Sequence, residues 1–406
     1  MMYTNPDGER PYRVDILQLL AVAGLMLISI LFVYSATTVN KPVAAIWYHQ
    51  SYFRQIVWFA LGIIAAGVIC MTDYHALARW SLVAYSLTIL TLLAVLIPHV
   101  GSIRYGARRW IDLGGFQFQP SEFAKLAFIL AMAHFLSRPV DELRQRNIFW
   151  RSIGLIVLPF LLILKEPDLG SALVLLPTGM AMIYAAGTPR RYLAQLLGIG
   201  GILGVLLVGD LVYAPARYRI QMPMYQARRL LVYFGRNYAD YFAGSAGSAP
   251  ERHKLQETQF KDSYNVRQSL IAVGSGGLTG KGWRQGRQNA LGFLPEAGKH
   301  NDFIFSVIAE EKGFVGSVIV LTLYSVILFT GIRIAGQARD RLGKLLAVGV
   351  VALIFSHVFI NIGMNIRIMP VTGVPLPLLS YGGSSVLGSL IAIGLLQNVY
   401  MYRKAY

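Results

Sequence analysis

Asp302 stands at the foot of a long apolar run, in the stretch Leu294-Pro295-Glu296-Ala297-Gly298-Lys299-His300-Asn301-Asp302-Phe303-Ile304-Phe305. A carboxylate held where hydrocarbon meets water is partly desolvated, which raises its pKa and makes it a better base toward a hydroxyl. Three other polar groups sit at the ends of apolar runs. Gln119-Pro120-Ser121-Glu122 with Lys125 opens one of them. Pro120 and Ser121 are good helix-start residues, and Glu122 and Lys125 share a helix face at i,i+3. Lys165-Glu166-Pro167-Asp168-Leu169-Gly170-Ser171 is a polar turn between two further runs, and Arg104, Arg108 and Arg109 precede Trp110. Burying charge in hydrocarbon is costly, so such groups usually line a cavity. Each also has a structural reading. Glu122 and Lys125 can stabilise a helix end as an ion pair, Asp168 can cap the next helix, and the arginines can touch lipid phosphates. Asp302 is expected to cap the helix that follows it. His300 reads as a neighbour of the acid and not as the proton carrier, since nothing pairs it with a nucleophile.

The elements that must position these groups are membrane spans. With 55% apolar and 14% charged residues, a chain of 406 residues is too apolar for a soluble domain. Runs of roughly 20 apolar residues cross a bilayer, and ten candidates are present: Ile16-Tyr34, Phe53-Met71, Trp80-Ile97, Phe123-Leu136, Ile153-Leu164, Leu169-Ala186, Leu193-Tyr213, Phe303-Ile332, Leu345-Gly363 and Ser384-Tyr402. The fourth and fifth are short, so their ends should reach into the neighbouring loops. The first is too long for a cleaved signal and is expected to stay as an anchor. The sole cysteine, Cys70, lies inside a run, so no intrachain disulfide forms and it should face lipid or pack.

Lys and Arg collect in cytoplasmic loops. With the N-terminus inside, Arg10, Arg13, Arg79, Arg138, Arg144, Arg146, Arg151, Arg190, Arg191, Arg333, Arg339, Arg341, Lys344, Arg403 and Lys404 lie on the inner side, against Lys41, Arg104, Arg108, Arg109, Lys165 and Arg367 in the short outer loops. The expected fold is therefore an all-α polytopic membrane protein of about ten transmembrane helices with both termini cytoplasmic. One integral membrane domain spans 1–406, with a long extracytoplasmic loop, 214–302, between helices seven and eight. The formal charge of +17 is spread over many loops, which favours anionic lipid headgroups or a phosphorylated substrate over nucleic acid.

Within the long loop, Ala216-Tyr241 mixes arginines with aromatic and aliphatic residues and reads as an amphipathic segment on the membrane surface. Ala243-Lys261 reads as a flexible insert. Ser269-Gly282 carries Gly274, Gly276, Gly277, Gly280 and Gly282, which would let backbone approach a bulky ligand. The last outer loop, Met369 to Ser385, is apolar yet full of Pro and Gly, like re-entrant backbone buried in protein. No internal repeat is visible.

Gln119-Pro120-Ser121-Glu122, Glu166-Pro167-Asp168-Leu169-Gly170-Ser171, Ile271 to Gly282, Phe293-Leu294-Pro295-Glu296, Asp302-Phe303-Ile304-Phe305 and Leu379 to Ser385 together resemble the SEDS (shape, elongation, division, sporulation) family over nearly the whole chain. Pro370 to Pro377 and Tyr225 to Leu230 are more similar to the RodA-like elongation branch than to the FtsW-like division branch. Three features depart from the family pattern: Gly298-Lys299 lengthens the spacing before the acid, Asn301 stands where Thr is common, and Arg367 is unusual before Met-Pro.

The resemblance implies a peptidoglycan glycosyltransferase of the bacterial inner (cytoplasmic) membrane, acting on its extracytoplasmic face. It would polymerise lipid II, an undecaprenyl-linked substrate, beside a class B penicillin-binding protein, a transpeptidase. The essential acid of the family matches Asp302. As general base it would deprotonate the acceptor hydroxyl, which attacks the donor anomeric carbon with inversion; an α-linked donor giving a β-linked product needs one displacement, so a retaining scheme with Glu296 is disfavoured. Arg109, Lys281 and Arg228 are candidates to take up charge on the departing diphosphate. Glu122, Lys125, Glu166, Asp168, His300, Gln268, Ser269 and Ser380 complete the candidate supporting set. The resemblance fixes no cofactor, and a divalent cation, Mg or Mn, could assist. Two rival readings are a lipid II flippase, which would carry charges midway through several spans, and a non-catalytic scaffold.

Overall fold

The computed structural model describes residues 14–38, 50–98, 100–104, 107–114, 116–214, 224–242, 249–293 and 300–404. Its helices are α1 (Ile16–Thr38), α2 (Ser51–Met71), α3 (Tyr74–Arg79), α4 (Ser81–Leu96), α5 (Pro120–Leu136), α6 (Val140–Leu143), α7 (Arg146–Lys165), α8 (Leu169–Ala185), α9 (Arg190–Tyr213), α10 (Met224–Phe234), α11 (Tyr238–Tyr241), α12 (Ala249–Ser275), α13 (Arg287–Ala290), α14 (Ile304–Gln337), α15 (Arg341–Asn365) and α16 (Gly383–Met401). Three short strands, β1 (Ser102–Arg104), β2 (Ala107–Leu113) and β3 (Phe116–Phe118), form an antiparallel sheet between α4 and α5.

Each predicted span overlaps a helix, the eighth of them, in α14, being broken at Gly313. α1, α2, α7, α9, α14, α15 and α16 are long and apolar enough to cross a membrane, while α4 and α8 are shorter apolar helices. The chain is a multi-pass membrane protein. The two spans predicted short do extend, α5 back to Pro120 at its first helical position and α7 back to Arg146.

Lipid is as apolar as leucine, so these helices associate through close packing and not through hydrophobic transfer. Small residues provide it. A methyl group at Gly62 of α2 would lie 2.4 Å from Leu390 Cδ1, and one at Gly394 of α16 would lie 2.8 Å from Ala66 Cα. Cys70 joins this seam, its Sγ 3.3 Å from the Gly394 carbonyl, which fits the packing role expected of it.

The region between α9 and α14 departs from expectation. The predicted flexible insert is largely helical, forming the first half of α12; Pro250 and Glu251 stand in its first turn, and Glu, Gln, Lys and Arg are strong helix formers even where composition is polar. The amphipathic segment holds α10, whose apolar residues Ala227 and Leu231 are buried with Leu211, Tyr238 and Phe242. That face is spent on protein.

The glycine-rich stretch has a structural use. α14 breaks at Gly313 (φ +64°, ψ −155°), which frees backbone groups on both sides. Residues 277–282 plug the gap: Lys281 and Gly282 N–H donate to the Glu310 and Glu311 carbonyls at 3.0 and 3.1 Å, and Phe314 and Val315 N–H donate to the Gly277 and Leu278 carbonyls at 2.8 and 3.1 Å. At Gly280 a methyl group would be 2.2 Å from the Glu311 carbonyl oxygen. The bulky neighbour those glycines accommodate is the broken helix.

Candidate active site

The turn at 300–302 is mounted by its backbone. Tyr381 N–H donates to the His300 carbonyl at 2.9 Å, Ser380 Oγ to the Asn301 carbonyl at 2.6 Å, and the Asn361 and Asn365 side-chain amides to the Asp302 carbonyl at 3.0 and 3.1 Å. Three successive carbonyls are thus held by α15 and the last loop. The expected capping by Asp302 is not what forms. The cap of α14 is Phe303 and no side chain caps it; with the turn fixed through its carbonyls, the Asp302 carboxylate points elsewhere. It points toward Gly373, where a methyl group would be 3.5 Å from Asp302 Oδ2 and 3.2 Å from Arg229 Nη2. Gly373 adopts φ +74°, so glycine suits both the conformation and the space.

The last loop is re-entrant backbone satisfied by side chains, as polar groups in a bundle interior must be. Arg229 donates to the Thr372 carbonyl, Asn361 to Val374 at 2.7 Å, His357 Nδ1 to Pro375 at 3.2 Å and Tyr324 to Pro377. Ser29 donates to Leu379 at 2.8 Å and Gln55 to Ser380 at 3.2 Å. Ser380 Oγ also accepts from Leu376 N–H at 2.8 Å.

On the other side of the 372–374 segment lies the polar turn 166–171. A methyl group at Gly170 would be 2.4 Å from Val374 Cγ2. Asp168 caps α8, accepting from Ser171 N–H at 3.1 Å, so its structural reading holds; it also faces Arg109 Nη1 at 3.8 Å. Arg109, buried on β2, donates to the Glu166 carbonyl at 3.3 Å and to the Pro167 carbonyl.

Charge sets the protonation states here. Burial pushes the Asp302 carboxyl up, while Arg229 and Arg109 pull it down and Asp168 adds to the rise; the net shift is upward. Burial also works to raise Asp168, but Arg109 and the Ser171 donor outweigh it and hold that carboxyl below the usual range. Glu166, fully buried, is pushed up to about 9 by burial and by Asp168 against Arg109, so it carries a proton at neutral pH. One turn therefore holds an anion and a neutral acid, and the raised carboxyl of Asp302 stands near both.

Beside the Asp302 turn, sharing Arg229 and Phe303 with its surroundings, opens a cavity of about 590 Å³. Its walls combine Met224, Val232, Tyr233, Val266, Met369, Pro370 and Val371 with Arg228, Arg229, Tyr238, Asp262, Asn265 and Arg367. Arg228 is occupied there: it pairs with Asp262 at 2.6 Å, and Tyr238 donates to the same carboxylate at 2.8 Å.

The structure gathers Asp302, Arg109, Glu166, Asp168, His300 and Ser380 into one neighbourhood, with Arg228 on the cavity wall. Buried Ser269 ties α12 beneath the turn, 2.7 Å from Ser306 Oγ and 3.3 Å from Asn365 Oδ1, and half-buried Gln268 precedes it. Lys281 is engaged elsewhere, in an ion pair with buried Glu310 at 2.6 Å. Glu122 and Lys125 form the expected pair at 2.8 Å, deeper in the bundle, where Lys125 Nζ also meets His357 Nε2 at 2.9 Å. Glu296 lies outside the described residues. Among the described residues no group of three or more His, Cys, Asp or Glu side chains could hold a metal ion.

Sequence reasoning missed Arg229, Gly373, His357, Asn361 and Asn365. The last three had a signal: they recur at i, i+4 and i+8 within an apolar helix, a polar stripe on one face that must meet polar partners.

A bundle of membrane helices with a mounted, partly desolvated carboxylate beside a cavity with basic walls defines a polytopic membrane protein with a candidate acid–base site. The chain belongs to the FTSW_RODA_SPOVE family of cell cycle proteins, matched over residues 16–405. It is 36% identical to Stage V sporulation protein E of Bacillus subtilis strain 168 over 400 residues, covering 96% of this chain and 98% of that protein. To the peptidoglycan glycosyltransferase MrdB of Escherichia coli K12 it is 34% identical over 408 residues, covering 99% and 98%. A chain of a solved peptidoglycan synthase complex that coordinates polymerization and crosslinking superposes with a TM-score of 0.73 at 27% identity, covering 97% of this chain and 99% of that one.

Proposed function

We propose that this protein is a peptidoglycan glycosyltransferase that polymerises lipid II, with Asp302 as its general base. The observation that carries the reading is the Asp302 carboxyl itself, mounted through its own carbonyl, raised in pKa and next to a cavity with apolar and basic walls. The naming of relatives such as MrdB as peptidoglycan glycosyltransferases supports it.

The leaving group of a prenyl diphosphate-linked sugar is already good, so catalysis needs an acceptor hydroxyl made more nucleophilic and two lipid-linked sugars held in line. Asp302 takes the proton from the acceptor GlcNAc hydroxyl; the alkoxide attacks the donor MurNAc anomeric carbon; the diphosphate departs with the bonding pair and inversion. Arg229 and Arg109 lie close enough to act on Asp302 electrostatically and provide positive potential for the developing charge. A divalent cation on the diphosphate would add to that neutralisation, and loss of turnover on chelation with recovery on adding Mg or Mn tests it. In this reading the site faces away from the cytoplasm of a bacterial inner membrane, both termini are cytoplasmic, and residues 214–302 form an extracytoplasmic loop. The partner is a class B penicillin-binding protein, and the role is in elongation; rounding of depleted cells supports that role and filamentation opposes it.

The test is polymerisation of labelled lipid II by purified protein with its partner. Asp302→Asn should lower the rate by ~100-fold or more while the melting temperature is retained. Unchanged glycan synthesis in that variant would falsify the assignment. Lipid translocated without longer glycan would favour the flippase reading instead.

A further inference from the structure

The buried residues of α2 are Gln55, Phe59 and Gly62, at i, i+4 and i+7. One inward position of a membrane span is thus given to an amide, a group that is costly to bury unless it is used. Its donor half is used. Gln55 Nε2 donates to the Ser380 carbonyl and to Ser29 Oγ, both at 3.2 Å, and Ser29 Oγ donates in turn to the Leu379 carbonyl at 2.8 Å. Its acceptor half is not: among the described residues no donor meets Gln55 Oε1. The amide therefore serves the last loop and not a reciprocal bond between helices.

Residues 379–381 take bonds from the bundle through their carbonyls and pass them to the turn of the acid. Ser29 and Gln55 hold the Leu379 and Ser380 carbonyls, while Ser380 Oγ donates to the Asn301 carbonyl at 2.6 Å and Tyr381 N–H to the His300 carbonyl at 2.9 Å. Three residues beyond Gln55, α2 meets the same loop again: a methyl group at Gly383 would lie 2.8 Å from Trp58 Cε2. No residue of α2 lines the cavity beside Asp302. We propose that Gln55 is a positioning residue for Asp302, which acts through Ser380 to set where the 300–302 turn stands. This rests on the reading of Asp302 as the general base.

Gln55→Met keeps an unbranched side chain and removes the donor. In the full chain with its partner and labelled lipid II, it should lower kcat about threefold at unchanged KM, because the cavity is untouched and Asn361 and Asn365 still hold the Asp302 carbonyl. On a Ser380→Ala background the same substitution should cost little further turnover. Losses that multiply instead would mean that Gln55 does not act through Ser380, and overturn the proposal. Asn398→Ala is the control at the other end of α2, where buried Asn398 donates to the Ile69 carbonyl at 2.6 Å. It should lower the melting temperature and leave kcat alone; an equal fall in kcat there would reduce Gln55 to bundle packing and also overturn the proposal. Backbone hydrogen exchange needs no substrate and separates the two readings. Faster exchange of the Tyr381 amide in Gln55→Met, absent in Asn398→Ala, upholds the mount even if wild type makes no glycan, a result that sinks the polymerase. Glycan synthesis at unchanged kcat, with unchanged exchange, in Gln55→Met sinks the mount alone.

Discussion

Two clusters of charge in this bundle are built in opposite ways. In the first, Glu122, Lys125 and His357 satisfy one another: Lys125 donates to Glu122 at 2.8 Å and meets His357 Nε2 at 2.9 Å, and the adjoining gap of about 20 Å³ has room for roughly one water. With His357 Nδ1 donating to the Pro375 carbonyl, Nε2 is left as acceptor for the ammonium. In the second, Asp302 is held by bonds to its carbonyl, and its carboxylate is left facing Arg229 across Gly373. Both clusters are costly to bury. Only the second stands beside a cavity of about 590 Å³, walled in part by Arg229 and Phe303, so polar content alone does not mark a site; what marks it is which atoms the protein consumes.

Perturbation should separate the two. The largest effect is expected at Lys125→Met, which strands a buried carboxylate and should destabilise the fold by about 3–5 kcal/mol in denaturation. Adding Glu122→Gln should recover most of that, and a single variant as stable as wild type would mean that the pair is not desolvated. Gly373→Ala comes next. Its φ costs an L-residue roughly 1–2 kcal/mol, and the methyl wedges between acid and guanidinium, so turnover should fall further than the melting temperature implies; equal losses would remove the distinction drawn here.

Arg229→Gln sharpens the electrostatic half of the comparison. Arg229 lowers the Asp302 pKa against the rise caused by burial. Its loss must push that pKa higher, moving the acid limb of the rate–pH profile to higher pH and cutting turnover several-fold at the acid end. A limb that moved down, or did not move, would exclude Asp302 as the titrating base. The smallest effect belongs to Ser380→Ala, which frees the Asn301 carbonyl and should cost about 1 kcal/mol of stability, with a modest drop in turnover.

Much of this architecture was legible. Spans are read from continuous apolar length, which needs no tertiary information, and the start of α5 at Pro120 and the cap at Asp168 are local chemistry. The buried last loop was legible too, since Pro and Gly in an apolar stretch leave carbonyls that only protein can satisfy. What failed depended on distant partners. Asp302 carries a capping residue type, yet three contacts from residues 59 to 79 positions away fix its turn and redirect its side chain. Arg228 and Arg229 are adjacent on one helix, and sequence could not say that Asp262 takes the first and leaves the second to Thr372. Polar composition hid α12, and the small sheet behind Arg109 rests on strands as short as three residues, below what alternation can reveal.

The mounting of the acid has a consequence for biogenesis. Among the described residues, the side chains and amide that grip the 300–302 carbonyls are encoded between Asn361 and Tyr381. A nascent polypeptide that has threaded α14 into the bilayer therefore owns the acid but not its bracket until α15 and the loop after it have been made. Any truncation that removes the loop before α16 should therefore cost the acid its mounting, whereas tagging beyond α16 should leave it in place.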